Sequence, residues 1–298
     1  MSEQEKIPTK LQSWIIASRP KTLFAAVVPV FVGSALADYY NLLQIKYSIV
    51  ALICSLLIQI GTNFHNDLYD FLKGADNEKR KGPQRVLASG LISVNEMKIG
   101  TLFIFSIAFV LGLYLVYTAG ITILIIGIVS ILAALAYTSG PYPLAYNGLG
   151  DIFVFMFFGI VGTMGTFYIQ VKEFTVLAFL ISIPVGALVT NILVVNNFRD
   201  IEEDKAAGKR TLAVKLGKTF TRYQYIMLLT VSFLIPAVLF LFYNFDLWIF
   251  LPYVTIPIAF RLIKMLSTFE GVELNKALEL TAKLSAIFGI LFSAGILL

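Results

Sequence analysis

Nine apolar runs of roughly 18 to 25 residues constrain this 298-residue chain more than any other feature. About 20 apolar residues span the hydrocarbon of a bilayer. In lipid a segment has to satisfy its own backbone polar groups, and an isolated strand leaves them bare, so each run is expected to be a helix. The runs fall at about 22–38, 47–71, 94–118, 120–137, 149–170, 175–198, 220–243, 247–266 and 278–297. With 58% hydrophobic and only 14% charged residues, the composition belongs to the membrane class. The expected fold class is an all-α membrane protein of about nine transmembrane helices. No low-complexity stretch or linker divides the chain, so residues 1–298 read as a single transmembrane domain.

The cations set an orientation. If the N-terminus is cytoplasmic, every Lys and Arg except Lys46 and Lys172 falls at the cytoplasmic side, as the positive-inside rule requires. The chain is then a multi-pass protein of the cell (inner) membrane with an external C-terminus. This asymmetry accounts for much of the net charge of +5, so the basic character implies a lipid bilayer and no nucleic acid as partner. The first run follows a polar segment and lacks a small-residue cleavage site, which reads as a retained helix rather than a signal peptide. The single cysteine, Cys54, excludes an intrachain disulfide and is expected to serve packing.

Polar residues gather where two of the apolar runs end. In "NFHNDLYDFLKGAD", residues 63–76, a helical repeat places Asn63, Asn66, Asp67 and Asp70 within an arc of about 100°, with Gln59 one turn deeper. In "NNFRDIEEDKAAGKRTLAVKLG", residues 196–217, Asn196, Asp200 and Asp204 repeat at i, i+4 and i+8, with Asn197 beside them. A charged run after a membrane helix is ordinarily a solvated loop. Two such runs at one side of the membrane, each preceded by intramembrane Asn, argue against that, because polar groups at this depth are costly unless they face a cavity or a partner. Glu202 and Glu203 are expected to be solvated, and His65 to be a polar neighbour of the cavity rather than a base or a metal ligand.

Facing carboxylates with cations beside them suit a particular chemistry. Mg²⁺ takes hard oxygen ligands, usually one or two carboxylates, and completes its shell with water and substrate phosphate oxygens. Two such stations can hold a diphosphate between them, with Arg85, Arg199 and Lys209 neutralising the remaining charge. The ligand would be a diphosphate ester whose apolar tail lies in the bilayer.

These two segments resemble the paired aspartate-rich motifs of the UbiA superfamily of intramembrane prenyltransferases. "RPKTL" at 19–23, "GPQRVLASG" at 82–90 and "YTSGPYPLAYNGLGDIFVFMFFG" at 137–159 are similar to the subfamily that prenylates 1,4-dihydroxy-2-naphthoate in menaquinone biosynthesis. The resemblance implies nine helices around a central cavity that opens sideways to lipid, with the aspartate-rich motifs at its cytoplasmic side. It implies Mg²⁺ as cofactor, with Asp67, Asp70, Asp200 and Asp204 as metal-holding catalytic residues. Asn63, Asn66 and Asp76 of the first motif, and Asn196, Asn197 and Arg199 of the second, would complete the diphosphate site, with Lys209 and Arg85 as phosphate contacts. The implied reaction moves a polyprenyl group from a prenyl diphosphate to the naphthoate, an aromatic acceptor, with loss of carbon dioxide, giving demethylmenaquinone. Aromatic faces can stabilise the allylic cation of such a step, and Tyr69 and Tyr137 are candidates by position. Asp151 has two open readings, a cap for the next helix or a role at the aromatic substrate.

Two rivals stand beside this reading. Another acceptor, such as 4-hydroxybenzoate or a lipid precursor, would use the same diphosphate site. An ion-coupled transporter would also carry intramembrane Asp and Asn, but at mid-membrane rather than at one end.

Overall fold

The computed structural model describes residues 8–75 and 85–298. Asp76, together with Lys79, Arg80 and Lys81, lies outside the described residues. Those described are almost all helical. Eight of the helices are long and apolar enough to cross a membrane, and a bent pair of shorter ones makes nine.

The run expected at about 22–38 is present, and a shorter helix that the sequence reading lacked precedes it at a bend. Helix α1 (Lys10–Ser18) starts at Thr9, whose hydroxyl accepts from Gln12 N while the Gln12 side chain accepts from Thr9 N, a reciprocal cap for two free donors. It stops at Arg19, which turns to φ 50° ahead of Pro20. Proline has no N–H to continue the ladder, and α2 (Phe24–Tyr39) departs at 51°. The turn therefore presents Arg19 and Thr22 inward, toward the cavity described below.

The long helices follow: α3 (Ile45–Leu72), α4 (Val94–Ala119), α5 (Ile121–Thr138), α6 (Gly150–Val171), α7 (Val176–Arg199), the short α8 (Ile201–Ala206), α9 (Leu212–Tyr243), α10 (Leu247–Thr268) and α11 (Leu274–Leu297). Ser93 and Glu96 close the N-terminus of α4 as a second reciprocal cap. Only Gly120, at φ 86°, separates α4 from α5, and a left-handed residue at so tight a reversal favours glycine. In α9 Gly217, at φ 78°, breaks the ladder, so that residues 212–216 form a separate turn where the sequence reading began the run at 220. Helix α6 opens into a wider π-turn over Phe155–Val161, a local insertion common near functional sites.

Helix α7 is the most buried and sits at the centre, packed by α2, α6, α9 and α11. Its Val185, Leu188, Val194 and Val195 meet Leu36, Tyr225, Phe288 and Phe292 in the main core. Gly159 and Gly186 let α6 and α7 approach closely, since a Cβ on Gly159 would stand 2.6 Å from Gly186 Cα, the small-residue contact through which membrane helices pack. Helices α3, α4 and α5 form a second layer with smaller cores of their own. Large apolar side chains such as Leu102, Phe103, Val110 and Tyr117 project outward from α4, the face expected toward lipid.

Candidate active site

Between the two layers lies a cavity of about 470 Å³. Its walls combine two chemistries. Arg19, Asn63, Asn66, Asp70, Arg85, Asn196, Asn197, Asp200, Asp204 and Lys209 line it, and so do apolar residues of α4, α5 and α6 that include Leu113, Ile126, Ile131, Phe157 and Phe158. Phe109, Leu113 and Ile128 line the cavity and yet are about 40% exposed, so its apolar part opens sideways at α4 and α5.

The first motif occupies the last turns of α3. Asn63, Asn66, Asp67 and Asp70 share one face, as their spacing requires, and Asn63, Asp67 and Asp70 are buried. Asn63 Nδ2 donates to Ser18 O at 2.9 Å and to Thr22 Oγ1 at 3.2 Å, which ties the bend after α1 to the site. Asn66 Oδ1 accepts from Thr138 Oγ1 at 3.0 Å. Asp70 is the most connected of the four. Its Oδ1 accepts from the Tyr146 hydroxyl at 2.8 Å and lies 3.1 Å from Lys209 Nζ, while Oδ2 is 3.6 Å from Arg85 Nη2. Asp67 is not among the residues lining the cavity; its Oδ1 faces Arg85 Nε at 3.8 Å.

The second motif straddles a helix end. Helix α7 stops at Arg199, Asp200 caps it with φ −98°, and α8 carries Asp204. The continuous stripe expected for Asn196, Asp200 and Asp204 is therefore broken at Asp200, yet all three line the cavity with Asn197. Gly208, at φ 73°, turns the chain. Lys209 N then bonds Asp204 O at 2.8 Å, and Arg210 N bonds Tyr146 O at 2.9 Å. Those two backbone bonds deliver Lys209 to Asp70 on the opposite helix.

Three sequence expectations need correction. Arg199 does not line the cavity. Its planar fork is taken by Asp200, with Nε to Oδ1 at 2.6 Å and Nη2 to Oδ2 at 2.7 Å, and by Asn275 and Asn196 at 2.6 and 2.8 Å. It holds a carboxylate in place instead of reaching a phosphate. Tyr69 packs on His65, ring centroids 4.5 Å apart, and against the small core of α3 and α4, away from the cavity. Glu203, expected to be solvated, is half-buried on the cavity wall, whereas Glu202 is exposed. Tyr137 does line the cavity, and His65 bridges Leu135 O and Ser139 Oγ, both at 3.0 Å, as a polar tie between α3 and α5. Buried Cys54 also touches the cavity and bonds Ala108 O.

Tyr146 and Lys73 escaped the sequence reading. Lys73 Nζ donates to Thr138 O at 2.7 Å and stands 4.2 Å from the Tyr146 ring centroid, with Lys209 Nζ at 4.9 Å. Two ammonium groups thus share one aromatic ring. Burial pushes the Lys73 ammonium below its ordinary value; Asp70 opposes this and Lys209 adds to it. The turn-rich composition of 140–150 was the only signal that this loop closes the site.

The donor set fits Mg²⁺. Asp70, Asp200, Asp204 and four Asn side chains offer hard oxygens around one cavity end. Among the described residues no three carboxylate, His or Cys groups gather closely enough to hold a metal by themselves. That suits an ion that takes its remaining ligands from water and phosphate.

Comparison with known proteins identifies the family. The profile of the UbiA prenyltransferase family matches residues 26–287. The chain is 35% identical over 307 residues to 1,4-dihydroxy-2-naphthoate octaprenyltransferase of Haemophilus influenzae, covering 100% of both chains. It is 35% identical over 305 residues to the protein of the same name from Escherichia coli K12, covering 100% of this chain and 98% of that one. Among solved structures, a UbiA homolog from Archaeoglobus fulgidus bound to DMAPP and Mg²⁺ superposes with a TM-score of 0.67 at 16% identity, covering 95% of this chain and 99% of that one. At such identity the likeness speaks for the fold, and the match of the family profile across most of the sequence places the chain in the UbiA prenyltransferase family.

Proposed function

We propose that this membrane protein is a Mg²⁺-dependent prenyltransferase that moves a polyprenyl group from a prenyl diphosphate to 1,4-dihydroxy-2-naphthoate. Diphosphate and carbon dioxide leave, and the carbon skeleton of demethylmenaquinone is formed. The observation that carries the reading is one cavity in which the polar faces of both acidic motifs continue into an apolar passage open toward lipid. That shape matches a charged head with a long hydrocarbon tail. The naphthoate as acceptor rests on the relatives' names, at 32–35% identity in three bacteria. None of these three relatives carries a name that points to 4-hydroxybenzoate or a lipid acceptor.

The residues divide the work as follows. Asn63, Asn66, Asp70, Asn196, Asn197, Asp200 and Asp204 present the oxygens that would hold Mg²⁺, with Asp67 behind them. When bound, Mg²⁺ supplies Lewis-acid stabilisation of the charge that grows on the leaving diphosphate. Lys209 and Arg85 stand at the same end and donate to phosphate oxygens, adding preorganised positive charge where negative charge develops. Arg199 fixes the Asp200 carboxylate. The bond from the prenyl C1 to the diphosphate oxygen breaks and its electron pair leaves with the diphosphate. The π electrons of the hydroxylated ring then form the new carbon–carbon bond, and the electron pair of the ring–carboxyl bond, released as carbon dioxide departs, restores the aromatic ring. Apolar side chains of α4 to α6 hold the tail and keep water from the allylic cation, and Tyr137, Phe153 and Phe157 offer it ring faces.

The bias of Lys and Arg supports a cytoplasmic side for the N-terminus and for the cavity's polar end. Mass spectrometry of the lipid formed from 1,4-dihydroxy-2-naphthoate and prenyl diphosphates of several lengths tests the assignment. The expected product is a prenylated naphthalene that has lost the carboxyl carbon; product only from 4-hydroxybenzoate would reassign the acceptor.

A further inference from the structure

The diphosphate machinery leaves one buried acidic group unused. Asp151, in the first turn of α6, is 5% exposed and lines the cavity. Of its two open roles, capping is confined to its own residue: Leu149 is the N-cap residue and makes no side-chain cap bond, and at the helix end the Asp151 carboxylate meets only its own backbone N–H. Among the described residues Asp151 Oδ1 is buried with no hydrogen-bond partner. A buried acceptor left unpaired is unfavourable, and native structures retain one where a ligand or a function supplies the donor.

Its surroundings indicate what that donor is. No Lys or Arg among the described residues forms an ion pair with Asp151, unlike Asp67, Asp70 and Asp200. An uncompensated carboxylate repels a phosphate and welcomes a neutral O–H. Tyr137 of α5 lines the same wall, and a Cβ built on Gly150 would stand 3.0 Å from its hydroxyl. Asp151 and Tyr137 line the same cavity as Asp70 and Asp204. Gln224 of α9 hydrogen-bonds the Asp151 carboxylate, which leaves Oδ1 as the open acceptor. Further along α6, Phe153 and Phe157 line the cavity with their rings stacked, centroids 6.0 Å apart.

Building on the prenyltransferase reading, we propose that Asp151 accepts a hydrogen bond from a ring hydroxyl of the aromatic acceptor, with the Tyr137 hydroxyl beside it. The α5–α6 seam is then the acceptor subsite, beside the diphosphate and below its cations. A hydroxyl that donates to a carboxylate releases more electron density into its ring, which favours attack by the ring carbons conjugated to it. The same bond fixes the ring's orientation and so the carbon that meets the prenyl C1.

The test compares 1,4-dihydroxy-2-naphthoate with its two mono-methoxy analogues, using purified full-length protein and one prenyl diphosphate. Each methoxy group removes a single O–H donor. In the wild type one of the two analogues is expected to lose roughly 10- to 100-fold in kcat/KM, the range for a hydrogen bond to a charged group. Asp151→Asn and Asp151→Ala are expected to lower kcat/KM for the dihydroxy acceptor to a similar degree. Both should leave KM for the prenyl diphosphate within about twofold and use the sensitive methoxy analogue nearly as well as the parent. Tyr137→Phe should erode the same preference less. A wild type indifferent to both methoxy groups overturns the proposal even where the Asp151 variants do not fold, and so do variants that keep the full preference. A wild type that makes no prenylated product from any dihydroxy acid overturns instead the functional reading beneath it.

Discussion

Lys209 Nζ lies 3.1 Å from Asp70 Oδ1, so the segment after the second acidic motif reaches across the cavity to the first. The Tyr146 hydroxyl bonds the same oxygen at 2.8 Å and its ring supports the ammonium. This arrangement keeps a cation where a diphosphate would arrive. Lys209→Met preserves the stem and removes the charge. It should lower kcat/KM for the prenyl diphosphate roughly 10- to 100-fold, as for loss of a charge-assisted hydrogen bond, with little change in KM for the acceptor. Steady-state kinetics with each substrate varied will show it, and a loss under about threefold would confine Lys209 to pairing with Asp70.

Asp70→Asn and Asp200→Asn should both abolish most turnover, yet they should differ in stability. Asp200 is gripped by both arms of a buried arginine, and its neutralisation strands that charge. Breaking one side of a buried pair costs about 3–5 kcal/mol. Asp70 shares Arg85, Lys209 and Tyr146, groups that have other neighbours and more access to water. Thermal unfolding in detergent should therefore show a clear drop for Asp200→Asn and a small one for Asp70→Asn. Equal shifts would contradict this division.

What the sequence disclosed and what it hid have physical reasons. Helix spans follow from local hydropathy, and the shared face of Asn63, Asn66, Asp67 and Asp70 follows from helical spacing, so both could be read from the chain. The break at Asp200, the π-turn at Phe155–Val161 and the kink at Gly217 depend on tertiary neighbours and leave little periodic trace. By its type Arg199 reads as a phosphate-seeking fork, but Asp200 takes that fork and Asn275, on a helix far along the chain, holds its remaining arm. Tyr146 was missed because one tyrosine among 14 carries no signal until Asp70 and Lys209 stand beside it.

Activity should require a divalent cation. The cavity carboxylates already engage Arg85, Lys209 and Arg199. Those cations cannot both satisfy the carboxylates and neutralise a diphosphate. Excess chelator should stop product formation and added Mg²⁺ should restore it. Full turnover in chelator would show that the cations suffice.

Arg199 offers the sharpest contrast between a charge and a geometry. Its guanidinium contacts both oxygens of Asp200 and also Asn196 and Asn275, and it is only 4% exposed. A lysine carries the same charge but cannot span four acceptors with one ammonium. If Arg199 only anchors the topology, Arg199→Lys should be silent. If it sets the Asp200 carboxylate, kcat should fall roughly 10-fold or more while KM for the prenyl diphosphate stays near the wild-type value, since an effect felt mainly in the transition state appears in kcat. Asn275→Ala loosens the same guanidinium from one side and should reproduce a smaller part of the loss. Lys264, exposed near the end of α10, is the control, and Lys264→Arg should change nothing measurable. Kinetics of the three variants decide the matter: a rise in KM at constant kcat for Arg199→Lys would return Arg199 to the diphosphate itself, and no effect at all would leave it a membrane anchor.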